Sequence, residues 1–286
     1  MVREHIDKIP SRRKDSHKGD YGKVLVLAGS RGMTGAAFLC SQGALHSGSG
    51  LVINGIPESL NPVMEVKLTE VMTLPLHETP EQALGHKAKA DILAFSKKCD
   101  VVAMGPGMGT ADSTKTLVKD LLNEIEIPLV LDADGINCLE GDIDILGKRS
   151  FRTVITPHPG ELARLTGKTA TDIQANREDI TKSIAEVTET VVVLKGYGTV
   201  VASPDGKVYV NQTGNSGMAS GGTGDVLTGM IASFIGQGID DYSASVCAVY
   251  LHGTAGDIAA EEVGQFSMTA SDILDLLPEA FDRAGI

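Results

Sequence analysis

A chain of 286 residues with 42% hydrophobic content can bury a large core, as one α/β domain or as two smaller ones. Its formal charge of −12 repels polyanions, and no basic run interleaved with aromatics offsets that, so a nucleic-acid partner is excluded. No apolar segment opens the chain and no window reaches about 18 uninterrupted apolar residues, so neither secretion nor membrane insertion is expected.

Taken in order, the elements alternate. KVLVLAG from Lys23 reads as a buried strand, and GAAFLCSQGALHSG from Gly35 as a helix. LVINGIP from Leu51 and VVAMGPG from Val101 are further strands, followed by the helical STKTLVKDLLNEI after Asp112. PLVLDADG from Pro128 and TVITPHPG from Thr153 are strands, IQANREDITKSIAEV after Asp172 is a helix, and VVVLKGYG from Val191 is a strand again. Such alternation implies crossover units and a mostly parallel sheet covered by helices. Pro204-Asp205-Gly206 between TVVAS and KVYVNQT reads as a hairpin turn, so antiparallel strands finish the sheet. The last third is helical, and Val226, Leu227, Met230, Ile231, Phe234 and Ile235 form one apolar stripe. The chain shows no repeat, linker or composition break. Cys40, Cys99, Cys138 and Cys247 form no CxxC pair and read as reduced core residues of a cytosolic protein.

In a doubly wound sheet ligands lie beyond the carboxyl ends of the strands, where Gly29, Gly105 to Gly109, Asp132 to Gly135, His158 to Glu161 and Lys195 to Thr199 would converge. The sharpest signal is Asn215 to Gly229, NSGMASGGTGDVLTG. Gly221-Gly222-Thr223-Gly224-Asp225 stands at the head of the apolar stripe, so successive backbone N–H groups can point into one concavity at a helix start, where the macrodipole favours an anion. Gly222, Thr223 and Gly224 are the candidate anion hole, and Asp225 is the candidate base for phosphoryl transfer. The plain alternative is a helix cap at Asp225 after a turn, although a cap needs one glycine rather than SGGTG.

Other phosphate signatures fail. Gly167-Lys168-Thr169 imitates the end of a P-loop, but Leu162 stands where its first glycine belongs. Gly32 and Gly35 resemble the last glycines of a dinucleotide fingerprint, but Ser30 occupies the first position; with Glu58 at the end of the next strand, this leaves a dehydrogenase as one alternative. Lys195-Gly196-Tyr197-Gly198-Thr199 is either a bend between strands or a nucleotide contact with Lys195 on a phosphate. Asp132 and Asp134 either hold Mg²⁺ through water or form a turn. His158, between two prolines, is either a ligand residue or a satisfied structural histidine. Gly105-Pro106-Gly107-Met108-Gly109 is a rigid turn serving either packing or ligand approach.

The ordered set GSRGMTGAA, AMGPGMG, LDADGIN, ITPHPGELARLTG, VVLKGYGT and GNSGMASGGTGDVLTG closely resembles the ADP- or ATP-dependent NAD(P)H-hydrate dehydratases of the ribokinase-like superfamily, from about Lys18 to the C-terminus. The resemblance implies an α/β, ribokinase-like fold, with a central mostly parallel sheet, helices on both faces and some antiparallel edge strands. It implies a single domain over residues 1–286, without the epimerase domain fused to some relatives. The implied activity is nucleotide-dependent dehydration of the S-form of hydrated NADH or NADPH, restoring the cofactor with release of AMP (from ADP) and phosphate. ADP or ATP is then the co-substrate, with Mg²⁺ as cofactor. By the same resemblance the nucleotide segment falls on Lys195, Gly196, Tyr197, Gly198 and Thr199 and on Gly224. The hydrated-substrate contacts fall on Ala37, Gly107, His158 and Asp225. The Asn-x-x-Glu element that organises Mg²⁺ in ribokinase relatives appears as His158-Pro159-Gly160-Glu161, keeping the glutamate and losing the asparagine, so the resemblance adds Glu161 to Asp132 and Asp134 as a metal candidate without assigning the ligands. A cytoplasmic homo-oligomer, a tetramer, is the implied assembly, with small molecules as its partners and neither nucleic acid nor membrane. The alternative activity is a small-molecule kinase acting on a thiazole- or pyridoxal-type alcohol; a nucleotide sensor without turnover is a third.

Overall fold

A computed structural model describes residues 2–286. Its strands are β1 (Lys23–Leu27), β2 (Leu51–Pro57), β3 (Met72–Leu76), β4 (Val101–Met104), β5 (Leu129–Leu131), β6 (Thr153–Ile155), β7 (Val191–Leu194), β8 (Val200–Ala202) and β9 (Val208–Val210). They form one sheet in the order β3-β2-β1-β4-β5-β6-β7-β8-β9. Pairing is parallel from β3 to β7 and antiparallel from β7 to β9. The parallel strands read as unbroken apolar runs because helices cover both faces, and every residue of β4, β5, β6 and β7 is buried. The hairpin at Pro204 to Gly206 is present, with Gly206 at φ +84°. Strand β3 escaped the sequence reading, since Pro75 argues against a strand; it lies at the sheet edge, where a missing N–H is tolerated.

Alternation along β1 sorts the core into two. Val24 and Val26 face a layer containing helices Thr34–His46, Thr223–Gly236, Asp241–Val263 and Ala270–Ala284. Leu25 and Leu27 face the other, with Lys89–Ser96, Asp112–Glu124, Pro159–Thr166 and Arg177–Thr188. The helical run expected after Asp172 is two helices, Ala170–Ala175 and Arg177–Thr188, broken at Asn176. Gly167 is the left-handed C-cap of helix Pro159–Thr166, at φ +72°, which explains the P-loop imitation as a helix end.

Helix Thr223–Gly236 is buried all round from Val226 to Ile235, more than the expected stripe, because helix Thr34–His46 lies directly against it. A Cβ on Gly229 would stand 2.0 Å from the Cys40 carbonyl oxygen, and one on Gly43 would stand 2.5 Å from that of Val226. The two helices therefore touch backbone to backbone. They run in the same direction, with Gly222 against Leu39 near their starts and Gln237 donating to Ser47 O at 2.9 Å at their ends. This sets both helix N-termini at the carboxyl edge of the parallel strands.

Candidate active site

The carboxyl ends of β5, β6 and β7 meet at a buried ion pair. Lys195, just past β7, places Nζ 2.5 Å from Asp132 Oδ1 and 3.8 Å from Glu161 Oε2. Asp132 is completely buried and its other oxygen accepts from Thr228 Oγ1 at 2.7 Å, which ties the strand ends to helix Thr223–Gly236. Burial alone would lower the Lys195 pKa, but the charges of Asp132 and Glu161 and the Asp132 hydrogen bond outweigh it and raise it. The backbone at Ala133 is strained, at φ +49° and ψ −119° for a residue with a Cβ; this kink separates Asp132, turned inward, from Asp134. Asp134 Oδ2 accepts from Gly109 N at 2.9 Å and so anchors the glycine turn after β4.

Beside the pair starts helix Thr223–Gly236. Gly222 is its N-cap, in the left-handed region at φ +98°. The Asp225 and Val226 N–H groups donate back to Gly222 O, whereas among the described residues no acceptor takes the N–H groups of Gly222, Thr223 and Gly224. Three consecutive donors without an acceptor thus stand at a helix start, where the macrodipole favours negative charge. Asp225 does not cap the helix with its side chain. Burial, then the charge of Asp132, raises its pKa to about 7 against the opposing effect of Lys195. A Cβ at Gly224 would meet Lys195 Nζ at 3.3 Å, close enough that the ammonium would have to shift by a few tenths of an ångström.

The segment Lys195 to Thr199 connects antiparallel β7 and β8. Arg177 supports it from below, donating through Nη2 to Leu194 O at 2.8 Å, Gly198 O at 3.2 Å and Lys195 O at 3.3 Å. Tyr197 stands 98% exposed at its tip. His158 proves to be an N-cap: Nδ1 accepts from Gly160 N and Glu161 N at 3.0 and 3.3 Å, and Glu161 returns a bond to the His158 N–H at 2.8 Å. Its Nε2 edge stays half exposed, 3.3 Å from Glu161 Oε1. Burial lowers the His158 pKa, so the ring is neutral with Nδ1 as acceptor.

Strand order reverses between β1 and β4, and the loops after them are stitched together by Gly29 N to Pro106 O at 2.8 Å and Ser30 Oγ to Gly107 O at 2.8 Å. Ala37 and Gly107 lie behind this stitch, both buried, with Gly107 close to Met33 and Ala36. Ligand contact there would run through backbone or follow movement of exposed Met33. Two clefts of about 360 and 610 Å³ flank Asp112, outside the Asp225 cluster. Among the described residues no three His, Cys, Asp or Glu side chains converge as a metal site. Asp132 is committed to Lys195 and Asp134 to Gly109, so a hard cation here would take its oxygens chiefly from a bound phosphate and water, with Glu161 the carboxylate nearest Lys195 after Asp132.

Several contributors carry no sequence signal. Thr228 and Arg177 look like ordinary helix residues, and His252 and Asp257 sit within a long helix. Asp257 accepts from Gly214 N at 2.8 Å and Asn215 Nδ2 at 3.0 Å, anchoring the loop that leads to Gly221.

The sheet order is therefore that of an α/β protein with the ribokinase-like fold, which a solved ribokinase-like superfamily protein of Enterococcus faecalis shares at a TM-score of 0.83 and 24% identity. The family model described as NAD(P)H-hydrate dehydratase matches residues 24–279, and the chain belongs to that family. It is 46% identical over 270 residues to the bifunctional NAD(P)H-hydrate repair enzyme Nnr of Moorella thermoacetica, covering 94% of this chain and 51% of the relative. It thus spans about half the length of the first curated relatives it matches. It is 37% identical to the ADP-dependent (S)-NAD(P)H-hydrate dehydratase of Bacillus subtilis, across 98% of this chain and 96% of that one. The crystal structure of the Bacillus subtilis ADP/ATP-dependent NAD(P)H-hydrate dehydratase co-crystallised with ATP/Mg²⁺ superposes with a TM-score of 0.85 at 34% identity, over 99% of this chain and 97% of that one.

Proposed function

We propose that this chain dehydrates the S-form of hydrated NADH and NADPH at the expense of a nucleotide, ADP or ATP, and works as a single domain over its described length. The observation that carries the reading is Asp225, a carboxylate with its pKa raised to about 7, next to three free N–H groups and the Lys195 ammonium. A base titrating near neutrality is suited to taking a proton from an alcohol at working pH. Membership of the dehydratase family supports the hydroxyl on the hydrated nicotinamide ring as that alcohol.

Asp225 takes the hydroxyl proton, and the ring oxygen attacks the terminal phosphoryl group. The bond from that phosphorus to the nucleotide breaks, releasing AMP when ADP is consumed. The N–H groups of Gly222, Thr223 and Gly224 face the charge that develops on the transferring phosphoryl oxygens, and Lys195 supplies a fixed positive charge beside them. Phosphate then leaves the ring carbon, pushed by the ring nitrogen lone pair, and loss of a ring proton restores the dihydronicotinamide. The nucleotide lies along Lys195, Gly196, Tyr197, Gly198, Thr199 and Gly224, and the substrate along Ala37, Gly107, His158 and Asp225. Mg²⁺ neutralises phosphate charge when bound, with Glu161 as the chain's own contributor.

A cytoplasmic homo-oligomer, a tetramer, completes the proposal. Exposed Val63, Val66 and Met72 near the β3 edge support association, and among the described residues no helix is long and apolar enough to cross a membrane. The deciding experiment incubates the protein with hydrated NADH and either ADP or ATP, and follows dihydronicotinamide absorbance and free phosphate. Both rise on this reading. A small-molecule kinase retains phosphate on its product, and no recovery with either nucleotide would refute dehydration.

A further inference from the structure

The Thr223–Gly224 peptide is held from its far side by a residue with no assigned role. His252, 7% exposed on helix Asp241–Val263, places Nε2 2.9 Å from the Thr223 carbonyl oxygen. That oxygen can only accept, so Nε2 carries the ring proton. The described residues contain no cis peptide, and in a trans peptide the C=O of one residue and the N–H of the next point in opposite directions across one plane. Fixing the direction of the Thr223 C=O therefore fixes the opposite aim of the Gly224 N–H, one of the three free donors. The helix that begins at Thr223 already engages this carbonyl in its ladder, and His252 adds a side-chain anchor where Gly221, Gly222 and Gly224 supply none.

We propose that His252 is a positioning residue for phosphoryl transfer, holding the Thr223–Gly224 peptide so that its N–H points at the transferring phosphoryl group. The helix that carries it is the template for the whole loop. Gly253 and Gly256 allow Thr213 and Met218 to pack against helix backbone, and Asp257 binds Gly214 and Asn215. Thr223 Oγ1, donating to Met218 O at 3.0 Å and Ser220 O at 3.1 Å, holds the other side of the turn. Burial keeps the ring neutral, with its pKa lowered to about 4, so no charge is placed beside Lys195 at working pH. The inference rests on the reading that the Gly224 N–H helps bind the phosphoryl group.

The test compares His252→Leu, which removes the donor, with His252→Gln, whose amide nitrogen reaches the Nε2 position. Removing a whole oxyanion donor lowers kcat by roughly 10²–10³-fold, so a mis-aimed one should lower it by roughly 10–100-fold. His252→Leu should show that loss chiefly in kcat, with a smaller rise in ADP KM of about threefold, the split expected when a donor meets the phosphoryl group of bound ADP and holds it more strongly in the transition state. His252→Gln should recover most of the rate. Equal rates in the two variants would show that the ring merely packs and would overturn the proposal. Should His252→Leu not fold, His252→Asn, one atom too short, replaces it against His252→Gln with the same reading. A second readout needs no turnover: the ¹⁵N amide resonance of Gly224 should move on adding ADP in the wild type and His252→Gln, and stay in His252→Leu. If the wild type fails to dehydrate hydrated NADH, the proposed function falls, while the amide response still decides the role of His252.

Discussion

Two glycine-bearing segments approach the Lys195–Asp132 pair from different sides, and they are built in opposite ways. Gly221 to Asp225 opens a helix that is buried from Val226 to Ile235; His252 ties it to a second helix, and Asp257 of that helix anchors the loop leading into it. Lys195 to Thr199 is a connection between antiparallel strands near the sheet edge, supported by one guanidinium and carrying a fully exposed tyrosine. The difference teaches where each kind of work belongs. Charge and proton transfer need donors that do not reorganise in a water-poor place, whereas recognition of a ligand face tolerates an exposed and softer segment.

The contrast breaks most visibly at Asp225. Asp225→Asn should lower kcat by about 10²–10⁴-fold while ADP binding, measured by calorimetry, stays intact; near-normal turnover would remove the base from the mechanism. Next in size is the buried pair. Asp132→Ala leaves Lys195 buried without its hydrogen-bonded partner, with only Glu161 at 3.8 Å, and should lower the unfolding free energy by about 3 kcal/mol in urea titration, with loss of activity. A loss within error of zero would mean that water already solvates Lys195.

The pH dependence follows from the same carboxylate. With Asp225 titrating at about 7, kcat/KM should fall about tenfold per unit below roughly pH 6 and level off above pH 7 to 8. Its folded-state pKa is above the ordinary 3.8, so between roughly pH 4 and 7 the native state binds more protons than the unfolded chain. Stability therefore declines as pH rises through that window, and Asp225→Asn should flatten the decline. This carboxylate is carried at some expense to the fold.

The softer segment should respond least. Arg177→Met removes donors to three carbonyls beneath the turn and should raise the ADP KM by about tenfold, in line with losing one or two hydrogen bonds to a charged group. Tyr197→Ala should raise it by only about two- to fivefold, with no change in melting temperature, because the ring buries nothing in the free protein. A large loss of stability from Tyr197→Ala would show that the turn is as braced as the helix start.

Much of the fold was legible. The apolar runs of β4 to β7 have no polar face because both faces are covered, and that is a local pattern. The edge strand β3 was hidden by Pro75, whose acceptability depends on having no neighbour on one side. At the site, SGGTGD announced free N–H groups ahead of an apolar helix, and three such groups are present at Gly222 to Gly224. The choice at Asp132 and Asp134 between metal ligation and turn formation was not legible: one carboxylate meets Lys195, 63 residues away, and the other fastens Gly109.

The sequence by itself determined the alternation of strands and helices, the glycine-rich helix start and the aspartate behind it, since each depends on residues within a few positions of one another. Tertiary structure alone decided what surrounds that aspartate. The burial that raises Asp225 toward neutrality, the Asp132 charge that adds to it, the Lys195 ammonium that opposes it and the His252 ring that holds its neighbouring peptide come from separate elements of the chain. They act on one carboxylate because dielectric and Coulombic effects depend on distance in space, which the parallel sheet sets and linear spacing does not.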